Sequence, residues 1–277
     1  MENFLEPDQL LQSLSFTEIG ERLNVKIKSG NQPDLTPYAG RNIIFDDIIL
    51  KRNLTDNHYE DQCTAKYYFD IFNTIKATLG EATRIVEVGV FMGGSTSILA
   101  GCAHYLGMEL DLIDICPNFL QFARERARRS YPDAVESRVR MFHGSLPEYV
   151  RDVLKKEDNI KVIIHHDGSH SFEQVIRDLG SLYYIRNNVH SLLIQDTNLR
   201  GMPKYFNFVD SAVFSIFGRD VNYAPLGSVY QSTVGPNQWE GNYVMPGEPE
   251  GMYIPLSHNK FHYPHPRITL GDFFEET

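Results

Sequence analysis

Along most of the chain, apolar positions come in short runs separated by stretches where they recur at helical spacing. Residues 85–88, Ile-Val-Glu-Val, form the first clear run and lead into Gly89. Residues 95–106 then read as a helix built from small side chains. Residues 109–115 predict a second strand, 119–129 a helix and 139–142 a third strand. Residues 147–154 predict a helix, 160–164 a fourth strand broken only by Lys161, 172–182 a helix and 191–194 a fifth strand. Short apolar strands alternating with helices predict a parallel sheet covered on both faces, a doubly wound α/β fold.

The flanks have a different texture. Residues 1–66 mix short apolar stretches with Asn31, Pro33, Pro37 and Gly40, and read as a partly helical N-terminal extension. Residues 67–277 then form the main domain. A helix over 59–79 bridges the two, with Tyr67, Phe69, Ile71, Phe72 and Ile75 supplying its apolar surface and Gly80 ending it. Residues 205–217 carry Phe206, Val209, Val213, Ile216 and Phe217 at helical spacing and predict a core helix. Residues 218–265 are rich in Gly, Pro, Tyr and Asn, and are too long for an ordinary connection. They read as an irregular segment with a few strands, forming a substrate wall, a lid or an oligomer contact. Tyr223, Tyr230, Trp239, Tyr243 and Tyr253 either face a ligand or fill a satellite core.

Composition narrows the partners. The formal net charge is −10, from 36 acidic and 26 basic residues, which weighs against a surface built to grip nucleic-acid phosphates. Only Arg124, Arg126, Arg128 and Arg129 cluster, and they read as a solvated helix face. The three cysteines form no CxxC pair, which excludes a disulfide framework and argues against structural zinc. Residues 1–15 carry Glu2, Glu6 and Asp8 and lack the basic-then-apolar order of a signal peptide. No apolar run reaches the length of a membrane span. The simplest expectation is a soluble cytoplasmic protein with neither a membrane nor a nucleic-acid partner.

Ligands of open parallel sheets bind at the carboxyl ends of the strands, so the residues there matter most. The first strand is followed by Gly89, Gly93, Gly94, Ser95 and Thr96, a glycine turn running into a helix N-terminus. The spacing is not GxGxxG, and no Lys precedes Ser95 as in a P-loop. The second strand ends at Asp114, an acid able to accept hydrogen bonds from ribose hydroxyls. The third is followed by Gly144 and Ser145, a small polar corner able to edge an adenine. The fourth is followed by His165, His166, Asp167, Gly168, Ser169 and His170, and the fifth by Gln195, Asp196, Thr197 and Asn198.

With Glu87-x-Gly89-x-x-x-Gly93-Gly94 after the first strand and Asp114 after the second, the sequence resembles a class I S-adenosylmethionine (SAM)-dependent methyltransferase. The motifs Asp167-Gly168-Ser169-His170-Ser171-Phe172-Glu173 and Asp196-Thr197-Asn198 are similar to those of the metal-dependent macrocin-type O-methyltransferases and the cephalosporin hydroxylase-like proteins. The resemblance covers roughly residues 67–202. It implies a Rossmann-like, mostly parallel sheet, with Glu87, Gly89, Gly93 and Ser95 at the methionine end of the cofactor. Asp114 would hold the ribose, with Gly144 and Ser145 near the adenine and Asp167 bordering the cofactor. Asp167 and Asp196 would bind Mg2+, with His170 as general base. The implied activity is O-methyl transfer to a hydroxyl of a sugar, polyketide or other specialised metabolite, by a homo-oligomer. The family often carries an acid immediately before Asp196. Here Gln195 offers a neutral oxygen, and Asn198 is a substitute ligand.

Other readings stay open. The missing charge at Gln195 would suit a catalytically degraded binding or assembly protein. His165-x-Asp167 with a distant His258 or His262 would make a non-haem iron triad of the oxygenase kind. A nicotinamide-dependent oxidoreductase would need the fingerprint that the glycine turn lacks.

Overall fold

The computed structural model describes residues 3–26, 32–54, 63–201, 207–235 and 242–262. The chain divides into two compact units, Met1–Gly144 and Ser145–Thr277. The first contains, in chain order, β1 (Phe4–Leu5), α1 (Phe16–Leu23), α2 (Ile43–Leu54), α3 (Ala65–Ala77), β2 (Arg84–Val88), α4 (Gly94–Leu106), β3 (Glu109–Asp114), α5 (Pro117–Ser130), α6 (Pro132–Arg138) and β4 (Val139–His143). β3 lies between β2 and β4 and is parallel to both, while β1 runs antiparallel along β4.

All five residues of β2 are buried, so neither of its faces meets solvent and the period-2 signal vanishes from the sequence. The sheet also takes in charge. Asp111 on β3 is fully buried and receives both Nε (2.8 Å) and Nη2 (2.6 Å) of Arg140 on β4. Such a two-point pair satisfies a carboxylate that would otherwise be costly to bury.

The N-terminal extension is packed into this unit. Ser15 and Glu18 form a reciprocal capping box that starts α1, satisfying N–H groups the helix leaves open. Leu11, Ile19, Leu23 and Val25 bury against Met92 and Phe122. On α2, Phe45, Ile48 and Ile49 are buried. Ile48 meets α4 at Gly101, where a Cβ would lie 2.6 Å from Ile48 Cγ1 and 3.0 Å from the Tyr131 hydroxyl.

The second unit contains α7 (Leu146–Tyr149), β5 (Val162–His166), α8 (Phe172–Ser181), β6 (Val189–Gln195), β7 (Leu199–Arg200), α9 (Val209–Phe217), β8 (Ala224–Val229), β9 (Tyr243–Val244) and β10 (Pro249–Pro255). β5 and β6 are parallel. β10 lies antiparallel on β6, β8 antiparallel on β10, and β7 pairs with β9. Among the described residues, no helix is long and apolar enough to cross a membrane.

The expected α/β alternation is present, with corrections at its edges. The helix expected at 59–79 is α3, started by the Thr64 cap; residues 59–62 lie outside the described residues. The helix expected at 147–154 is a single α turn running into a π-helical turn at Val150–Leu154. α6 was not anticipated. β5 runs two residues further than the apolar run, because His165 and His166 are themselves buried strand residues. The core helix begins only at Val209, and Tyr205 and Phe206 lie outside the described residues, as does Trp239. The segment 218–265, expected to be irregular with a few strands, contributes β8 and β10 to a sheet and β9 to the pair with β7.

The contact at Gly101 yields a first prediction. Gly101→Val should push Ile48 and Tyr131 from their places and lower stability by about 1–3 kcal/mol, the usual cost of overpacking a filled core. Urea unfolding would measure it, and an unchanged midpoint would mean α2 and α4 are not closely pressed in solution.

Candidate functional site

The turn between β2 and α4 is shaped from two sides. Gly89 (φ 81°) and Gly93 (φ 73°) take left-handed backbone, and a Cβ on Gly93 would sit 3.1 Å from Cα and Cβ of Ala123 on α5. Phe91 also has a positive φ, 41°, which a bulky residue keeps only when its surroundings enforce it. Asp114 does much of that. Its Oδ2 accepts from the Val90 N–H at 3.0 Å and, more weakly, from the Phe91 N–H at 3.5 Å, while Oδ1 accepts from the Cys116 N–H at 2.8 Å. From α5, Arg126 donates through Nη1 to the Met92 carbonyl at 2.6 Å.

Glu87, next to last on β2, is fully buried. The Ser95 hydroxyl, in the first turn of α4, donates to its Oε1 at 2.8 Å, and Oε2 has no hydrogen-bond partner. Burial pushes this carboxyl up to about 8, and the charge of Asp114 adds to the rise. The Thr96 and Ser95 hydroxyls and the Arg126 guanidinium act in the opposite direction. A buried carboxyl with an open oxygen, beside a glycine turn and a helix N-terminus, can seat a cationic group, whose charge would favour loss of the carboxyl proton. The ammonium and sulfonium of SAM fit that description. Gly144 closes the neighbouring corner, its N–H donating to the Asp114 carbonyl at 3.0 Å.

In the second unit the structure brings together Asp167, His170 and Asp196. Each offers one ligand atom, and these atoms all lie within 4.8 Å of one another in half-buried surroundings. His170 Nε2 is 2.7 Å from Asp196 Oδ2. Asp167 and His170 sit on the loop from β5 to α8. That loop is tied at its far end by Ser171, which accepts from the Gln174 N–H as the cap of α8. At its near end, buried His166 pairs through Nε2 with Asp178 Oδ2 at 2.9 Å. Asp178 Oδ1 accepts from Gln174 Nε2 at 2.9 Å.

Asp196 follows β6 with φ 60°, a left-handed conformation that Asp tolerates better than most residues. The next residue locks it there. Thr197 donates its N–H to the Glu250 carbonyl at 3.1 Å and its hydroxyl to the Pro249 carbonyl at 2.8 Å, both on β10. Arg200 donates to the carbonyls of Thr197 (3.2 Å) and Leu199 (2.8 Å) and pairs with Asp210 at 2.7 Å. Gln195 and Asn198 are buried beside Asp196, with Gln195 paired opposite Gly251 of β10.

Several expectations change. Ser145 is occupied as the cap of α7: its N–H and hydroxyl both donate to Glu148 Oε2 at 2.7 Å. Asp114 is as much a brace for the glycine turn as an acid open to a ribose. The arginine cluster is not a solvated face, since Arg124 and Arg126 are buried and Arg128 and Arg129 both pair with Glu125. His166 is a buried residue at the end of β5. The iron-triad arrangement is not assembled among the described residues: His165 is buried in β5, where desolvation drives its imidazole down to about 3. His258 is exposed, and His262 lies 3.9 Å from Asp220. The roles of Arg126 and Asp178 were missed, yet a signal existed. Each charge falls on the apolar side of its helix, with Phe122 and Ala123 or Val175 and Leu179.

Residues 86–192 match the family model described as a methyltransferase domain. The match spans β2 to β6 and includes the glycine turn, Asp114, Asp167 and His170. Comparison with curated proteins gives no match. Among solved structures, the chain is similar to M. capricolum TrmK in complex with S-adenosylhomocysteine, at 12% identity and a TM-score of 0.39, covering 72% of this chain and 73% of that one. It is similar to cofactor-bound Rv0187 from MTB at 12% identity and a TM-score of 0.47, covering 83% and 99%. A SAM-dependent O-methyltransferase from Thermotoga maritima aligns at 12% identity and a TM-score of 0.43, covering 80% and 72%. The weight rests on the family match.

Two outcomes follow for the methyltransferase-like segment. Glu87 has a folded-state value near 8 against an ordinary 4.5, so it adds stability at low pH that is lost as pH rises from about 4.5 to about 8. Subtracting the melting profile of Glu87→Gln from that of the wild type should expose this slope; a flat difference would mean that the carboxyl is solvated. Asp178→Ala leaves the buried His166 without its acid, and chemical denaturation should register a loss of about 1–3 kcal/mol.

Proposed function

We propose that the protein is a SAM-dependent O-methyltransferase, assisted by Mg2+, that acts on a hydroxyl of a sugar, polyketide or other specialised metabolite. The observation that carries the reading is the grouping of Asp167, His170 and Asp196 within 4.8 Å. The substrate class rests on the resemblance of the two acidic motifs to macrocin-type enzymes.

Glu87, Gly89, Gly93 and Ser95 would receive the methionine end of the cofactor, and Asp114 the ribose. When bound, SAM supplies a methyl group on a positively charged sulfur. The protein's own work is to hold the acceptor and take its proton. Asp196 Oδ2, hydrogen-bonded to His170 Nε2, favours the tautomer with its proton on Nε2, so the lone pair sits on Nδ1. That nitrogen is buried in the free protein, so binding of the acceptor would have to uncover it before it takes the hydroxyl proton as the oxygen takes the methyl group. The two carboxylates suit a hard divalent cation. Asp167 and Asp196 would hold Mg2+, which would supply polarisation of the hydroxyl. Gln195 and Asn198 are neutral neighbours that add no charge, so this site would hold its ion less tightly than one with a third acid.

Calorimetric titration with S-adenosylhomocysteine, with and without Mg2+, tests the reading. Binding is expected in both conditions, and tighter with the ion. Asp167→Asn should abolish the Mg2+ effect and keep nucleotide binding. His170→Ala should lower turnover of a hydroxylated acceptor by about 10²–10⁴-fold, the usual worth of a positioned base, and high pH should recover part of it. Absence of binding by folded protein would sink the methyltransferase reading. Binding without turnover of any acceptor, and indifference to His170→Ala, would favour a degraded binding protein.

A further inference from the structure

Helix α2 is apolar on two opposite sides. Phe45, Ile48, Ile49 and Arg52 are buried on one side, Arg52 with its guanidinium 5.0 Å from the centre of the Tyr68 ring. Ile43, Leu50 and Leu54 lie seven and four residues apart, which places them on one stripe of a helix with 3.6 residues per turn. That stripe is opposite the buried side. Its three side chains are exposed to 79%, 56% and 71%. A helix apolar all round is ordinarily buried all round; here one side is left to water.

We infer that this stripe is a contact between two copies of the chain, formed by antiparallel pairing of α2 with α2 of a second copy across a two-fold axis. The charge order of the helix selects this occupant. Asp46 and Asp47 lie in its first half and Lys51 in its second half. A two-fold axis near the middle of α2 sets Ile43 of each copy against Leu54 of the other. The same register sets Asp47 against the other copy's Lys51 on one flank of the stripe. A self-complementary patch of this kind is what a two-fold interface requires, and a parallel pairing in register would set like charges together. Antiparallel helices also oppose their dipoles favourably.

The stripe is narrow beside the roughly 800 Å2 per partner of a standard stable interface. The dimer is therefore weak and concentration-dependent. It does not depend on the chemistry proposed for the strand ends.

Sedimentation equilibrium of the full chain over a wide concentration range tests the inference. The wild type is expected to pass from monomer to dimer. Leu50→Glu and Leu54→Glu replace solvent-exposed side chains, so their melting temperatures should stay near that of the wild type, while dimerisation weakens at least about tenfold. Lys51→Glu should weaken it too, and adding Asp47→Lys should restore part of the loss. High salt should reduce the effect of the charge variants but not of the leucine variants. A wild type that stays monomeric at every concentration, or a dimer that survives Leu50→Glu, overturns the proposal.

Discussion

The carboxylate of Asp114 fixes the first unit's strand-end geometry. Two backbone N–H groups of the glycine turn and one from its own turn converge on it. A carboxylate is the only common side chain able to accept that many bonds while adding negative charge, and charge strengthens each of them. The parallel pairing of β2 with β3 makes it possible, because parallel strands end at the same edge and Asp114 follows Ile113, the partner of Val88. Without that brace, the positive φ of Phe91 has no evident compensation, and the turn loses the shape that exposes the start of α4.

The same strand end carries an opposed element. Glu87 is buried with one oxygen unsatisfied, and the nearby charge of Asp114 works against its ionisation. Arg126 offsets part of this from α5 while also holding the Met92 carbonyl. Near neutral pH the raised Glu87 carboxyl holds its proton, which leaves the charges of Asp114 and Arg126 to balance each other around the turn. The N-terminal extension takes part, since Met92 is packed among Leu11, Ile19 and Leu23.

How much of this the sequence discloses depends on range. Strand-then-helix order, the glycine turn and the acids at strand ends are local patterns, and β2, β3, α4, α5 and α8 lie within a residue or two of where periodicity places them. The end of β5 was misplaced because buried histidines do not look apolar, although pairing with Asp178 makes His166 a comfortable core residue. The capping role of Ser145 is legible in the three-residue spacing to Glu148. The arginines were read as solvated because their charge was counted and their helical phase was not. A few strands are expected within 218–265, but the pairing of β10 with β6 joins residues far apart in sequence and leaves no local signal.

The cluster in the second unit shows why residue types alone do not make a site. Asp167 and His170 share one loop, and their proximity follows from the chain. Asp196 comes from another strand and reaches them in a left-handed conformation that costs of order 1 kcal/mol or more unless the surroundings enforce it. The enforcement comes from Thr197, bonded twice to the backbone of β10, and from Arg200, bonded to two carbonyls of the turn. The C-terminal segment thus earns its place as the wall against which the second acid is set, rather than as a loose cover. The turn that carries Asp196 is held by the backbone carbonyls of Pro249 and Glu250, whose side chains take no part in the Thr197 bonds. Glu250 matters through its side chain as well, which is buried and accepts from the Ser228 N–H at 3.1 Å, tying β8 to the strand that holds the turn.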